Sequence, residues 1–112
     1  MNLRGASGIA ASPDGKFVYV SAYIDHAINI FTRNQTDGSL SYLKSLWQSG
    51  LNSPQDLAIS PNGQQLYVTS SMDNGLAWFF RNESTGDLSF GGMLTDDQQK
   101  FRNAWLNSRQ PR

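Results

Sequence analysis

Cysteine is absent from this 112-residue chain, and it has only one histidine. Because thiolate and imidazole groups are the usual protein ligands of zinc, a zinc site is disfavoured, and we predict no metal and no cofactor. Nine Lys and Arg residues balance nine Asp and Glu residues, so the chain lacks a general electrostatic attraction to nucleic acid or to an anionic membrane. No apolar run approaches the ~18 residues of a membrane span. We therefore predict neither a nucleic-acid partner nor a membrane partner.

Familiar catalytic and targeting motifs are also missing. The sequence contains no P-loop, GxGxxG, HExxH or GxSxG pattern. Its first residues, MNLRGASG, lack the apolar core of a signal peptide. Two locations stay open: the cytoplasm, or the periplasm or cell exterior if a signal peptide was lost with the natural N-terminus.

What the sequence does contain is an internal repeat. SPDGKFVYVSA at residues 12–22 returns 48 positions later as SPNGQQLYVTS at residues 60–70. Residues 3–42 align with residues 51–90 without a gap, and about a third of the aligned pairs are identical. A constant offset through so many turn residues indicates a repeated structural unit.

Each copy predicts four short strands, because β-branched and aromatic segments alternate with turn-forming residues. In the Ser-Pro-Asp-Gly and Ser-Pro-Asn-Gly segments, proline presets φ and the glycine can adopt a positive φ, which closes a tight hairpin. The predicted strands are 8–12, 17–23, 27–33 and 39–47 in the first copy and 56–60, 65–71, 76–81 and 87–94 in the second.

The strand interiors are apolar on both faces, as in Phe17–Val20 and Leu76–Phe80. A sheet with one solvated face would alternate more regularly, so these sheets are expected to have neighbours on both sides. Four-stranded sheets repeated every ~40–50 residues are typical of β-propeller blades. The predicted fold class is all-β, with two four-stranded antiparallel propeller blades forming a partial propeller.

The repeated pattern resembles one blade type in particular. Both copies follow L-x5-[IL]-A-x-S-P-[DN]-G-x2-[VL]-Y-V, then D-[HN], F-x-R-N and G-x-L-S, with Tyr19-Val20-Ser21-Ala22 and Tyr67-Val68-Thr69-Ser70 at their centres. This is similar to the lactonase family of seven-bladed propellers, which includes 6-phosphogluconolactonase-like and YVTN-repeat proteins. The resemblance covers about residues 3–94 and is specific for the blade rather than for an activity. It implies a full-length protein that hydrolyses a sugar lactone or a related small ester.

Two blades cannot close a ring, and three explanations follow. The chain is a piece of a larger propeller, which we favour; or three or four copies assemble into a ring of six or eight blades; or the pair is a stray gene fragment. We assign residues 1–94 to the blades, with blade one at 3–50 and blade two at 51–94. An isolated pair is expected to be catalytically inactive.

Residues 95–112 break the repeat. Thr95 and Gln98 fit a helical capping box, and Phe101 and Trp105 would share a helix face. The segment is predicted to be a short helix or a disordered tail, with a degraded first strand of a third blade as the alternative.

Candidate ligand-binding residues are expected on one face of the propeller. In propellers of similar topology, the loop before strand one and the loop between strands two and three surround the mouth of the central channel. These loops carry eight polar residues that we take as candidates: Arg4, Ser7, Asp25, His26, Gln55, Asp56, Asp73 and Asn74.

Asp56 and His26 are the candidate catalytic residues within this set. Asp56 aligns with Gly8, so the blade itself does not require a carboxylate there. A carboxylate or an imidazole could act as a general base on water, and Arg4 could attract an acidic substrate. His26 aligns with Asn74, which also fits a purely structural role in a turn. The alternative function is a non-catalytic propeller-type module, binding protein or glycan, or a self-assembling partial propeller.

Overall fold

The computed structural model describes residues 1–72 and 74–95, which form two four-stranded antiparallel sheets. Sheet one has the order β1-β2-β3-β4, and sheet two has the order β5-β6-β7-β8. The predicted all-β fold of two blades is therefore confirmed. The strands are Ala6–Ala11 (β1), Phe17–Ala22 (β2), Ala27–Arg33 (β3), Leu40–Leu46 (β4), Pro54–Ile59 (β5), Gln65–Ser70 (β6), Gly75–Arg81 (β7) and Leu88–Leu94 (β8).

The first strand of each sheet begins two residues earlier than the sequence predicts and ends one residue earlier. The early start depends on a register irregularity between Ala6 and Gly8, and on another between Pro54 and Asp56. The early end follows from Ser12, whose side chain bonds to the turn. Its Oγ accepts from Phe17 N at 3.0 Å and donates to Asp14 Oδ1 at 2.6 Å. Most of the predicted tail and Asp73 lie outside the described residues.

One face of sheet one packs against one face of sheet two, and the hydrophobic core lies between them. We call the face that sheet one presents its front face and the face that sheet two presents its back face. Two residues that lie opposite each other on neighbouring strands point to the same side of the sheet, so the cross-strand pairs show which residues belong to each face. The core side chains are Phe17, Tyr19, Ile28 and Ile30 from sheet one, and Leu57, Leu66, Val68, Ala77 and Phe79 from sheet two, with Leu51 from the connection.

A buried polar contact joins the two sheets within this core. The hydroxyl of Tyr19 donates to Gly86 O at 2.7 Å and accepts from Arg81 Nε at 2.7 Å. Arg81 also donates Nη1 to Gly63 O, and its guanidinium lies 5.7 Å from the centre of the Phe17 ring. Burial raises the pKa of Tyr19. We call Tyr19, Arg81 and Gly86 the interblade clamp.

Candidate functional site

The two candidate loops lie at the same edge of the sheets, as the sequence predicts. In sheet one, Tyr23 N donates to Gly5 O at 2.9 Å, while Ile24 N and Asp25 N both donate to Arg4 O at 3.2 Å. In sheet two, Ser71 N donates to Ser53 O at 3.3 Å. The antiparallel pairing of the first two strands of each sheet therefore brings the loop before the first strand against the loop after the second. We call this end of the two sheets, where the strands begin or end, the rim.

Arg4 and Asp25 form an ion pair on the rim. Arg4 Nε lies 2.7 Å from Asp25 Oδ1, and Arg4 N donates to Asp25 Oδ2 at 2.9 Å. The Arg4 side chain is 79% exposed, whereas the Asp25 side chain is only 11% exposed. The hydrogen bonds from the Arg4 backbone and side chain, with the Arg4 charge, lower the pKa of Asp25. Arg4 is thus a solvent-facing cation already paired with a carboxylate, which weakens its attraction for a second anion.

His26 connects blade one to the segment that enters blade two. Its Nδ1 accepts a hydrogen bond from Ser53 N at 2.9 Å. A neutral imidazole that accepts at Nδ1 carries its proton on Nε2, so its remaining ring nitrogen is a donor rather than a base.

Both residues of this contact have a left-handed backbone, with φ of 53° for His26 and 49° for Ser53. Ser53 occupies the place of Gly5, whose φ is 74°. A serine in a conformation that favours glycine stores local strain, and such strain is common at functional sites. The sequence contains the signal, a Gly-to-Ser change between copies, but only the structure reveals the bond to His26.

The inner strands β1 and β5 meet along a polar seam next to the rim. Ser7 Oγ lies 3.2 Å from Ser21 Oγ and donates to Pro54 O at 3.3 Å, while Ser21 Oγ is 3.2 Å from Gln55 O. Ser21 is fully buried, so these bonds satisfy a hydroxyl that is removed from water. Sequence reasoning did not single out Ser21, since serine on an apolar strand carries no distinctive signal.

Asp56 lies on β5 at the end of this seam and is exposed. Its Oδ1 accepts from Leu57 N at 2.9 Å, and its own N–H donates to Thr69 Oγ1 at 3.1 Å. A shallow cavity of about 190 Å³ adjoins the carboxylate, lined by Asp56, Leu57, Ala58, Tyr67, Thr69 and Leu76. Tyr67, Thr69 and Leu76 belong to the outward face of sheet two, so this cavity is open only where no neighbouring sheet covers that face. The site thus offers one carboxylate, Asp56, at the rim end of an uncovered apolar face.

The remaining candidates are more dispersed. Gln55 donates Nε2 to Ser71 Oγ at 3.1 Å, and Asn74 is exposed with a φ of 46°. The hydrogen bonds of Asp25 and those of Asp56 have no partner residue in common. Within residues 1–72 and 74–95, no three His, Cys, Asp or Glu side chains come close enough to hold a metal ion. The same residues contain no helix that is long and apolar enough to cross a membrane.

Comparison with solved structures finds propellers of the expected kind. Two proteins named "putative 6-phosphogluconolactonase" match, one from Bacteroides fragilis with 28% identity and a TM-score of 0.75, the other from Bacteroides uniformis with 29% identity and a TM-score of 0.74. Each match covers 80% of this chain and 25% or 26% of the other chain. The periplasmic gluconolactonase PpgL of Pseudomonas aeruginosa, with 24% identity, a TM-score of 0.65 and coverage of 78% and 25%, shares the fold. No curated protein sequence matches the chain.

This chain spans about a quarter of the length of those structures. The family model described as "Lactonase, 7-bladed beta-propeller" matches residues 2–98, which is most of the chain and includes both sheets. The chain therefore belongs to the lactonase family of seven-bladed β-propellers.

Proposed function

We propose that this chain is a two-blade sector of a propeller that hydrolyses a sugar lactone or a related small ester. The observation that carries the proposal is the family match across residues 2–98, together with two structural relatives at 28% and 29% identity that are named for 6-phosphogluconolactonase activity. Because the chain spans a quarter of those relatives, it would supply part of a site that other blades complete. The isolated chain is expected to show no turnover.

The rim residues suggest a division of roles. In lactone hydrolysis, water adds to the carbonyl carbon, the ring C–O bond breaks, and the ring oxygen takes up a proton. The exposed carboxylate of Asp56 is the group best suited to accept a proton from the attacking water. His26, as a donor at Nε2, is suited to hydrogen-bond the carbonyl oxygen as negative charge develops there. The Arg4–Asp25 pair would lie at the periphery, where Arg4 attracts an acidic substrate.

Ligand mapping on the isolated chain tests this proposal without requiring turnover. Gluconolactam, an uncharged analogue of gluconolactone that resists hydrolysis, is titrated into ¹⁵N-labelled protein while amide shifts are recorded. We expect shifts that saturate at millimolar ligand around Asp56, Thr69 and His26, and their loss in Asp56→Asn. The matched control is Asp14→Asn, a carboxylate in the Ser12–Lys16 turn at the opposite edge of the sheet. Shifts that are absent, or equal in the two variants, would contradict the proposal.

A non-catalytic binding module is the second candidate, and a specific contact favours it. His26 uses Nδ1 to hold the backbone of Ser53, which is a structural task that leaves it no acceptor nitrogen when neutral. Under this alternative, a panel of lactones would remain unhydrolysed even by a completed ring. Asp56→Ala and His26→Ala would then leave partner binding largely intact, whereas both would abolish hydrolysis under the first proposal.

A further inference from the structure

Each sheet uses only one of its two apolar faces inside the chain. The repeat makes the outward face of sheet two equivalent to the front face of sheet one, with Tyr67 in the place of Tyr19 and Leu76 in the place of Ile28. Tyr19 and Ile28 are 0% and 1% exposed, whereas Tyr67 and Leu76 are each 39% exposed. Sheet two therefore has an open front face whose apolar residues occupy positions that are buried in sheet one.

The outward face of sheet one is the matching back face. Ile9 takes the place of Leu57, and it is 66% exposed where Leu57 is 8% exposed. Phe31 takes the place of Phe79 and is already 7% exposed, whereas its edge-to-face partner Tyr42, in the place of Phe90, is 42% exposed. The exposed part of this face is therefore Ile9 and its surroundings on the inner strand. The chain thus carries two unused faces, and the contact between its own two blades is a template for joining them.

Both halves of a second interblade clamp are also present. Tyr67 repeats Tyr19 on the open front face, while Arg33 and Gly38 repeat Arg81 and Gly86 on the open back face. Arg33 Nη1 donates to Gly15 O at 3.1 Å, as Arg81 Nη1 does to Gly63 O. Gly38 has a φ of 77°, against 78° for Gly86. The donor, Arg33 Nε, and the acceptor, Gly38 O, are therefore held by the same backbone geometry as their counterparts in the interblade clamp.

We propose that the open front face of one copy of this chain binds the open back face of a second copy. In this contact, the hydroxyl of Tyr67 donates to Gly38 O of the second copy and accepts from its Arg33 Nε. The contact joins two different surfaces, so it is heterologous and propagates until a ring closes. The inference concerns assembly and does not depend on the proposed lactone chemistry.

The segment before β1 does not obstruct this contact. Asn2 N donates to Asn29 Oδ1 at 3.0 Å, and Asn29 Nδ2 donates to Asn2 O at 2.7 Å, so residues 1–3 lie along the open back face. The equivalent segment before β5 contains Leu51, which is 2% exposed within the core between the sheets. Leu3 would take the place of Leu51 when a second copy docks.

Two differences predict that this joint is looser than the one within the chain. A Cβ placed on Gly8 would lie 2.8 Å from Asp56 Cα, so the inner strands approach closely only because Gly8 has no side chain. Between copies, Asp56 takes the place of Gly8 and forces the inner strands apart at the rim. The ion pair of Lys44 with Asp87 across the two sheets also has no counterpart, since Gly92 and Ser39 occupy those positions.

The test is the solution mass of the chain by light scattering, combined with two substitutions on opposite faces. Leu76→Lys places a charge on the open front face, and Ile9→Lys places one on the open back face. Both residues are already solvent-exposed, so the fold should persist, which circular dichroism checks. Met72→Lys is the matched control, because Met72 is 69% exposed and its equivalent, Ile24, remains 49% exposed beside the existing interface.

We expect a discrete trimer or tetramer for the wild type and for Met72→Lys, and a monomer for each face variant. A mixture of the two face variants should form a 1:1 dimer and nothing larger, since each retains one intact face. Tyr67→Phe should weaken association about tenfold, the effect of one lost hydrogen bond to a charged group. A monomeric wild type at all concentrations, meaning that further blades of a longer chain cover these faces, would overturn the proposal. Variants without effect, or a mixture that stays monomeric, would also overturn it.

Discussion

Tyr19 and Tyr67 occupy the same position in two copies of one blade, yet the first is 0% exposed and the second 39% exposed. Ile9 and Leu57 differ in the opposite sense, since the residue from sheet one is exposed and the residue from sheet two is buried. The two sheets have the same strand order and nearly the same register. At these two pairs of positions, burial therefore follows from which face has a neighbouring sheet. The centre of the outward face of sheet one is nevertheless covered within the chain, because Val18 and Phe31 there are only 5% and 7% exposed.

The positions at which the copies differ add a second lesson. Blade one has Gly8 and Gly5 where blade two has Asp56 and Ser53. Ser53 has the left-handed backbone that favours glycine, with a φ of 49°, whereas Asp56 lies in a strand, where a side chain is accommodated without strain. Both changes thus place a polar side chain on the rim, the part of the chain proposed to face a ligand.

Removing the buried aromatic ring of sheet two should have the largest effect. Phe79 is fully buried and packs edge-to-face on Phe90 with ring centres 5.6 Å apart. Phe79→Ala should lower the free energy of unfolding by about 3–5 kcal/mol, because it leaves a cavity between the sheets. Phe31 is 7% exposed but has no second sheet packed on it, so Phe31→Ala should cost less, near the lower end of that range at about 3 kcal/mol. Urea denaturation of both variants checks this order, and equal losses would contradict the importance of the neighbouring sheet.

A methyl group at Gly86 should be the next most damaging change. Gly86 has a φ of 78°, and a Cβ there would lie 2.5 Å from Cδ1 of Phe17 in the other sheet. Gly86→Ala should cost about 2–4 kcal/mol, the sum of the left-handed backbone and the displaced ring. Gly38→Ala has the same backbone cost, but its nearest neighbour is Arg33 Nη2 at 3.5 Å, so about 1–2 kcal/mol is expected. The difference between the two melting curves isolates the contact across the sheets.

Most of the fold followed from the sequence because its signals are local and repeated. Turn residues such as Pro13 and Gly15 mark strand ends by their own backbone preferences, and a second copy of each signal removes ambiguity. The candidate site could be predicted only as a set of loops. The bond from Ser53 to His26 and the pairing of Arg4 with Asp25 depend on side-chain geometry across 21 to 27 residues, which no spacing rule specifies.

Removing the hydroxyl of the interblade clamp should have a moderate effect. Tyr19→Phe leaves Arg81 Nε and Gly86 O without their partner, and Arg81 is buried. Leaving buried polar groups unsatisfied should lower the free energy of unfolding by about 1–3 kcal/mol. Tyr67→Phe, at a concentration where the chain is monomeric, should change it by less than about 0.5 kcal/mol, since that residue is exposed. A comparable loss in both variants would show that the clamp is not what stabilises the pair.

The smallest effect concerns the loss of stability in acid. The first turn of blade one should contribute to this loss, whereas the first turn of blade two should not. Asp14 Oδ1 accepts from Ser12 Oγ and from Lys16 N, and these bonds lower the pKa of Asp14. A carboxyl whose pKa is lower in the folded state stabilises the fold above its unfolded value of about 4, and this contribution is lost as the pH falls through the folded pKa. Asn62 makes the same bonds in blade two with an amide that does not titrate there.

Asp14→Asn should therefore lower stability slightly at pH 7, because the bonds to the charged carboxylate are replaced by weaker ones, and reduce the decline of stability below about pH 4. Asn62→Asp should steepen that decline, since it introduces a second carboxyl held by the same two donors. Asp25 and Asp37, whose pKa values are also lowered by hydrogen bonds, keep some acid dependence in every variant. Thermal melts from pH 2 to pH 7 measure the difference. If both substitutions change the decline of stability at low pH in the same direction, the turn carboxylate is not the cause of that decline. Asp25 on the rim would then be the carboxylate that distinguishes the two blades in acid.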